Sequence, residues 1–368
     1  MMESFAAFQP ARSPLFLALH DPVLHRFISY LTEKKAQQEA NPGRPIQLEL
    51  TRQFAANVRE SFKQSILRGE FYLHIMSHVV SSRFLGDGFE LHSNAIGILP
   101  GGEDRPFVIR ERITRDILFS QTDLDLGNHL LSKFRYQSGD DWVQLGLSAN
   151  FVEYIPSRHP PSGVNRITSR VKAEEELWNK VADEIFNLDD LVSRDKHLRQ
   201  YSKYIKDIFG IKLVCEDEAA CLRVHRELSE LRGGDCEWPV LDSPQKGDPL
   251  PLAVQPGGRL LDMVETKDYL TCDPSRMKKT GWKAIKSVVR WQNQLLEIQV
   301  QPLANYYLEL DHMAGPSHHS FKLQRDQVRA EIAERVPLYG FYRALLRMMF
   351  LESAESFDFG NASVRISG

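Results

Sequence analysis

The stretch that most constrains the fold of this chain is LLEIQVQ, residues 295–301. Side chains alternate between the two faces of a β-strand, so as a strand this stretch carries aliphatic residues on one face and Glu297, Gln299 and Gln301 on the other. The aliphatic face is expected to pack in a core. The other face is either the polar floor of a cleft or an ordinary solvated sheet surface.

A basic segment precedes this strand. Residues 276–290 read RMKKTGWKAIKSVVR and contain six Lys or Arg side chains and no acid. On a strand that begins near Gly281, Trp282 and Lys286 share one face, and residues 292–294 form a hairpin turn into the LLEIQVQ strand. Aromatic and cationic groups beside a carboxylate suit the binding of a nucleotide polyphosphate.

Shorter patterns predict further elements. Apolar spacing predicts helices over residues 15–34 and 50–67, and either a helix or a mixed segment over residues 71–84. Residues 209–214, FGIKLV, predict a short buried strand, and residues 217–231 predict a helix.

The composition limits the classes of function. At 368 residues, the chain has enough length for two domains. A net charge of −3 excludes a surface that is basic throughout, so any site for a polyanion has to be local. The four cysteines lack the spacing of a zinc site, which predicts reduced thiols and a cytoplasmic location. The sequence contains no apolar run of about 18 residues, so we expect no membrane insertion.

A proline-rich stretch predicts the domain boundary. Residues 156–163, PSRHPPSG, have the composition of an extended linker. Residues 1–155 are predicted to form an α+β domain of unknown role, with helices before Gly86 and glycine-rich strands after it. Residues 164–352 are predicted to form a second α+β domain with helices packed on a mixed sheet, and residues 353–368 a C-terminal tail.

Five segments of the second domain resemble, in the same order, motifs of the synthetase domain of the RelA/SpoT alarmone family. They are SRVK followed by ELWNK, then KDIFGIKLV, KDYL, KKTGWKAIK and EIQVQPLANYYLELDH. Each segment alone is a weak signal, whereas five in register favour one fold, a nucleotidyltransferase-like mixed sheet with packed helices. The resemblance covers about half of the chain.

The resemblance implies transfer of pyrophosphate from ATP to the 3′-hydroxyl of a nucleotide or of an RNA end such as that of tRNA. Asp207 and Glu297 match the family's catalytic carboxylates and would hold Mg²⁺. Two carboxylates on adjacent strands can hold a hard cation that bridges phosphate oxygens. By the same resemblance, ATP is bound by Arg170, Lys172 and Lys180, and the acceptor by Lys278, Gly281, Trp282, Lys286 and Gln299.

The proposed acceptor loop departs from the family pattern. Trp282 stands in place of a tyrosine, Thr280 in place of an asparagine and Lys286 in place of a histidine. Gln301 removes a cation of the family pattern, and Glu176 replaces a serine in the ATP-binding helix. An acid at position 176 lies one helical turn from lysines on either side and can pair with them, which would compete with ATP.

Two functions remain open on the sequence. The first is a Mg²⁺-dependent pyrophosphokinase with an altered acceptor, acting as a growth-arresting toxin or effector by analogy with small members of the family, with residues 1–155 engaging a protein partner. The second is a catalytically inactive, synthetase-like nucleotide sensor or protein-interaction scaffold. The retained carboxylates Asp207 and Glu297 favour the enzyme, whereas Glu176, Lys286 and Gln301 favour the sensor.

Overall fold

A computed structural model shows how the chain is arranged. It describes residues 21–41, 43–86, 88–99, 106–138, 140–171, 182, 209–239, 258–273, 281–291, 294–314, 329–334, 336–350, 356–359 and 362–367. Within these ranges, no helix combines the length and the apolar character needed to cross a bilayer.

Both helices and strands occur throughout the described part of the chain. The helices are α1 (Pro22–Ala40), α2 (Arg52–Leu85), α3 (Arg115–Ser120), α4 (Asp123–Ser132), α5 (Glu218–Glu230), α6 (Leu303–Ala314) and α7 (Pro337–Phe350). The strands are β1 (Ile46–Thr51), β2 (Phe89–Ile98), β3 (Pro106–Ile113), β4 (Arg135–Ser138), β5 (Asp141–Gln144), β6 (Gly146–Pro156), β7 (Val164–Val171), β8 (Phe209–Cys215), β9 (Asp262–Asp268), β10 (Ile285–Trp291), β11 (Gln294–Pro302), β12 (Ser356–Phe359) and β13 (Ala362–Ser367).

These elements divide into two compact units that differ from the predicted domains. Unit 1 takes its described residues from 1–68, 173–206 and 320–368, and unit 2 takes its residues from 69–172 and 207–319. Each unit is therefore built from segments that are discontinuous in sequence.

Unit 1 contains a three-stranded sheet in the order β1-β13-β12. β1 alternates buried and exposed residues, and it pairs in parallel with β13. α1 and α7 bury apolar residues in the same core as these two strands. The hydroxyl of Tyr342 in α7 donates a hydrogen bond of 2.6 Å to the carbonyl oxygen of Leu31 in α1. The segment predicted as a C-terminal tail thus supplies two strands of this sheet, because the alternating apolar residues of β13 match those of β1.

Unit 2 contains an eight-stranded sheet in the order β3-β2-β6-β7-β8-β11-β10-β9. The β8–β11 pair is parallel and the other neighbouring pairs are antiparallel. The predicted fold class, α+β with a mixed sheet and packed helices, is confirmed. The predicted separate N-terminal α+β domain is not confirmed, because β2, β3 and β6 belong to the same sheet as β7 to β11.

The predicted linker has a different place in the structure. Residues 156–163 connect β6 to β7, which pair with each other in the sheet. The connection turns at Gly163, whose φ of +75° lies in the left-handed region that favours glycine. The prolines favour an extended backbone. This composition is compatible with a connection between two paired strands as well as with a linker between two domains.

The middle of the chain matches the sequence patterns closely. The predicted helix over residues 217–231 is α5, whose N-cap Asp217 accepts a hydrogen bond of 2.7 Å from the backbone N–H of Ala220. α5 packs the buried side chains of Cys221, Val224 and Leu228 towards β8 and β11. The predicted hairpin is β10–β11, in which Trp291 pairs with Gln294.

The helices predicted over residues 50–67 and 71–84 are one continuous helix, α2. Gly69 lies between the two predicted segments, and the ring of Phe209 in β8 approaches it closely. A Cβ at position 69 would lie 2.2 Å from Phe209 Cζ, so the glycine allows close helix–strand packing rather than ending the helix.

Candidate functional site

Cross-strand pairing sets one row of residues across four strands of unit 2. Arg170 of β7 pairs with Gly210 of β8, Gly210 pairs with Glu297 of β11, and Glu297 pairs with Val288 of β10. Directly paired residues project from the same face of a sheet. Arg170 and Glu297 therefore belong to one face, with a residue that lacks a side chain between them.

The next row on this face is more strongly charged. Thr168, Lys212, Gln299, Lys286 and Lys267 pair in that order across β7, β8, β11, β10 and β9. The two rows together make a polar sheet face, which we call the polar face, on the side of the sheet opposite the buried aliphatic residues of β8 and β11. The alternation predicted for LLEIQVQ is confirmed by this arrangement.

Glu297 forms an ion pair with the neighbouring strand. Lys286 Nζ lies 2.7 Å from Glu297 Oε1, and the Glu297 side chain is 10% exposed. Among the described residues, a Cβ built on Gly210 would come within 4 Å of the Glu297 carbonyl oxygen alone, at 3.9 Å. The backbone at Gly210 thus leaves an opening among these residues, between the nearly buried Glu297 carboxylate and the exposed Arg170.

Glu309 of α6 gathers hydrogen-bond donors from the polar face. Its Oε2 lies 2.5 Å from Lys212 Nζ and accepts a hydrogen bond of 3.1 Å from Gln301 Nε2. Its Oε1 accepts a hydrogen bond of 2.8 Å from Trp282 Nε1. Gln299 Nε2 in turn donates to Gln301 Oε1 at 2.5 Å. Both glutamines are buried beneath α6, so this part of the predicted wet face is covered by protein.

The charges on this face influence one another. The pKa of Glu309 is lowered, because the charge of Lys212 and the hydrogen bonds the carboxylate receives outweigh the effect of burial, the largest single influence, which acts to raise it. The pKa of Lys212 is also lowered, first by burial and then by the positive charges of Arg170 and Lys286, against the attraction of Glu309. Arg170, Lys212 and Lys286 are thus close enough to influence one another, while Lys212 is paired with Glu309 and Lys286 with Glu297.

A second buried carboxylate fixes the position of α6. Glu153 of β6 lies 2.8 Å from Arg166 Nη1 and 3.4 Å from Arg110 Nη2, and it accepts a hydrogen bond of 3.1 Å from the Tyr306 hydroxyl. The Arg166 guanidinium stacks over the Tyr306 ring at 5.1 Å. α6 is therefore anchored over one end of the polar face, while the end near Gly210 stays partly exposed.

The predicted acceptor loop enters this region through Trp282. Its ring packs edge-on against Tyr269 at a centroid distance of 5.7 Å. Gly281 is exposed and has φ of +71°, a conformation that favours glycine. The backbone N–H of Tyr269 donates to the Ala284 carbonyl oxygen at 2.9 Å, which joins the two segments that carry these aromatic rings.

The structure brings several of the predicted site residues into one region of unit 2. It describes Arg170, Gly281, Trp282, Lys286, Glu297 and Gln299, while Lys172, Lys180, Asp207 and Lys278 lie outside the described residues. The convergence of Asp207 with Glu297 therefore stays a prediction.

Sequence reasoning did not single out Lys212 or Glu309. Lys212 is the one charged residue of the otherwise apolar strand FGIKLVC, and a lone lysine in a buried strand is a signal for a buried partner. Its partner Glu309 lies in the helix that follows β11, and a helical period alone does not say which sheet residue a glutamate meets.

Comparison with known proteins gives matches among solved structures alone. No protein-family model and no curated protein matches the chain. The small alarmone synthetase 1 of Bacillus subtilis bound to its product pppGpp is 17% identical, with 47% of this chain and 74% of that chain covered and a TM-score of 0.23. A GTP pyrophosphokinase family protein from Streptococcus pneumoniae is 16% identical, with 52% and 73% covered and a TM-score of 0.25.

Proposed function

We propose that this chain is a Mg²⁺-dependent pyrophosphokinase that transfers pyrophosphate from ATP to the 3′-hydroxyl of a nucleotide or of an RNA end such as that of tRNA. The observation that carries the proposal is the polar face, on which Glu297, Arg170, Lys212 and Lys286 surround the opening at Gly210. The five motifs that resemble the RelA/SpoT synthetase domain contribute the residues of this face.

Glu297 fits the role of a magnesium ligand. Its carboxylate oxygens are the hard donors that Mg²⁺ prefers, and they adjoin the opening over Gly210. Asp207 would provide the second carboxylate. When bound, the ion would offset the negative charge of the phosphates.

The reaction forms one bond and breaks one. The acceptor 3′-oxygen bonds to the β-phosphorus of ATP, the bond from that phosphorus to the α,β-bridging oxygen breaks, and AMP leaves with that oxygen. The acceptor proton passes to a carboxylate of the pair. The guanidinium of Arg170 can bind a phosphate through two N–H groups, while Lys172 and Lys180 neutralise further phosphate charge.

Lys286 gives the acceptor side a different charge from that of the family pattern. Its ammonium lies 2.7 Å from Glu297 Oε1 and forms an ion pair with it. Together with Lys278 it would also attract an acceptor with more phosphates, or the backbone at an RNA 3′ end. Trp282 offers a ring on which a base can stack, and the exposed Gly281 precedes it in the chain, whereas Gln299 is buried beneath α6.

The wider biological role belongs to the same proposal. A growth-arresting toxin or effector would use the N-terminal part of the chain to engage a protein partner, by analogy with small members of the family. A cytoplasmic location is in keeping with four cysteines that are all free thiols.

A nucleotide sensor or interaction scaffold without turnover is the second candidate. The observation that favours it is the Lys286–Glu297 ion pair, because an ammonium at 2.7 Å occupies one oxygen of the proposed metal ligand. A protein of this kind would bind nucleotide at the cationic face and transfer nothing.

An assay of label transfer from γ-labelled ATP distinguishes the pyrophosphokinase from the nucleotide sensor. The purified chain is incubated with Mg²⁺ and, in turn, GDP, GTP, ADP, ATP and bulk tRNA. We expect one acceptor to gain label, and Glu297→Gln to lower the rate by about 10²–10⁴-fold because it removes a carboxylate needed for metal and proton transfer.

Glu265→Gln is the matched control. Glu265 lies in the same row as Glu297, opposite Val288, but on the edge strand β9. We expect this variant to keep full activity. Label that appears equally with Glu297→Gln would contradict the assigned role, and nucleotide binding without transfer to any acceptor would favour the sensor.

A further inference from the structure

Three ionisable residues form a buried cluster in unit 2, apart from the polar face. Glu70 and His74 lie one turn apart on α2, and Asp123 is the first residue of α4. They are 6%, 2% and 4% exposed, respectively. One ligand atom from each lies within 4.8 Å of the other two. This cluster, which we call the Glu–His–Asp cluster, is unusual because such groups are rarely buried without a compensating partner.

The three side chains of the cluster do not satisfy one another's hydrogen-bonding groups. His74 Nε2 lies 3.7 Å from Glu70 Oε1 and 3.6 Å from Asp123 Oδ1, and both separations exceed a hydrogen bond. Within the described part of the chain, neither ring nitrogen of His74 nor Asp123 Oδ1 has a hydrogen-bond partner. An unsatisfied buried polar atom destabilises the fold, so the cluster is expected to hold something further.

Backbone groups hold the two carboxylates in place. The backbone N–H of Asp123 donates to Glu70 Oε1, and the backbone N–H of Val171 donates to Asp123 Oδ2 at 3.2 Å. Asp123 Oδ1 is thereby directed towards His74. Hydrogen bonds that orient ligands in this way are typical of the surroundings of protein metal sites.

The spacing of these atoms is close to that of ligands around one metal ion. Zinc lies about 2.0–2.2 Å from histidine nitrogen and carboxylate oxygen in tetrahedral sites, which places neighbouring ligand atoms roughly 3.3–3.5 Å apart. The two separations from His74 Nε2, 3.6 and 3.7 Å, require shifts of only a few tenths of an ångström to reach this geometry, and the two carboxylate oxygens lie within 4.8 Å of each other.

The charges also fit a divalent cation. Two buried carboxylates and a neutral imidazole carry two negative charges, which one divalent ion balances.

We propose that Glu70, His74 and Asp123 are the protein ligands of a divalent transition-metal ion, with zinc as the representative. The ion would join α2 to the start of α4. Because Asp123 also holds the backbone of Val171, the ion would steady the end of β7 immediately after Arg170. The site would exist whether or not the chain transfers pyrophosphate.

Metal analysis of the full-length chain tests the proposal. Protein purified without a polyhistidine tag is stripped with chelator, reconstituted with zinc sulfate and desalted, and its metal content and melting temperature are measured. We expect about one zinc per chain and a rise of several degrees in melting temperature on reconstitution. Stripped protein that binds less than about a tenth of an equivalent of zinc, manganese or iron would overturn the proposal.

Variants assign the ligands. His74→Gln and Asp123→Asn are expected to lose the bound zinc and the zinc-dependent rise in melting temperature. The matched control is His78→Gln, a buried histidine one turn further along α2 whose ring packs against Phe89 at 5.7 Å. This control is expected to keep both. Equal loss of zinc in the control and in the two ligand variants would overturn the assignment.

X-ray absorption on the reconstituted native chain needs no variant to fold. We expect a zinc edge with nitrogen and oxygen ligands at about 2.0–2.2 Å. Sulfur ligands at about 2.3 Å would instead place the metal on the free cysteines and overturn the proposal.

Discussion

Glu309 and Asp123 are both carboxylates of unit 2, the first partly and the second almost fully buried, and their surroundings differ. Glu309 receives an ammonium from Lys212 and hydrogen bonds from Trp282 and Gln301, and its pKa is lowered. Asp123 receives one backbone N–H and faces another carboxylate across an imidazole, and its pKa is raised to about 7. Burial acts to raise both pKa values. At Glu309 it is outweighed by the charge of Lys212 and the hydrogen bonds received, whereas at Asp123 burial and the charge of Glu70 outweigh His74 and the Val171 N–H.

The negative charges of these two carboxylates are therefore compensated in different ways. The protein surrounds Glu309 with its own donors, so this carboxylate organises α6 over the polar face without a ligand. At Asp123 the protein provides too few donors, and we infer that a cation makes up the difference. The comparison predicts that removing a donor destabilises the first cluster, whereas removing a bound ion destabilises the second.

The largest effect expected in the Glu309 cluster comes from Lys212→Met. The substitution leaves Glu309 largely buried without its main cation, and we expect a loss of about 2 kcal/mol in the free energy of unfolding, less than for a fully buried pair because both side chains are about a quarter exposed. Lys267→Met is the control, since its 3.1 Å pair with Glu265 is more exposed and should contribute at most about 0.5 kcal/mol. Urea denaturation that gave equal losses would remove the basis of the comparison.

The pH dependence of stability is expected to be a smaller effect. The pKa of Glu309 is lowered from 4.5 in the folded protein, so its contribution is present above the unfolded pKa and is lost as the pH falls through the folded pKa. Glu309→Gln should therefore flatten the decline of unfolding free energy below about pH 4.5. The exposed Glu111, paired with Lys133 at 2.6 Å, gives the control variant Glu111→Gln. An unchanged acid limb in Glu309→Gln would contradict the strong pairing.

Trp282→Phe should have the smallest effect. It removes one hydrogen bond of 2.8 Å to Glu309 but keeps an aromatic ring against Tyr269, so we expect a loss of about 1 kcal/mol or less. Trp142→Phe, at a residue that is 64% exposed, is the control and should be neutral. A loss as large as that of Lys212→Met would mean that the indole packs the acceptor loop rather than completing the Glu309 cluster.

Local patterns predicted the parts of the fold that depend on neighbouring residues. The alternation in β11, the apolar run of β8 and the helical pattern of α5 all report the structure of a single element. The pairing of β1 with β13 could not be predicted in this way, because it joins opposite ends of the sequence. The continuity of α2 through Gly69 likewise depends on the ring of Phe209, which comes from a distant strand.

The candidate site was predictable to a similar extent. The motifs pointed to Glu297 and Lys286, whose strands are adjacent in sequence and form a hairpin. Lys212 and Glu309 meet only because α6 folds back over the sheet, and the sequence carries no measure of that contact. The i,i+4 spacing of Glu70 and His74 is visible in the sequence, but the third member of their cluster comes from another helix.

The parallel pairing of β1 with β13 has a consequence for synthesis of the protein on the ribosome. β1 emerges early, whereas β13 emerges only after all eight strands of the large sheet have been made. The nascent chain can therefore assemble unit 2 first. During this time the edge of β1 that later pairs with β13 has unpaired backbone groups, and unpaired strand edges promote aggregation. Chaperones that bind exposed strand edges during translation would protect β1 until β13 has been synthesised.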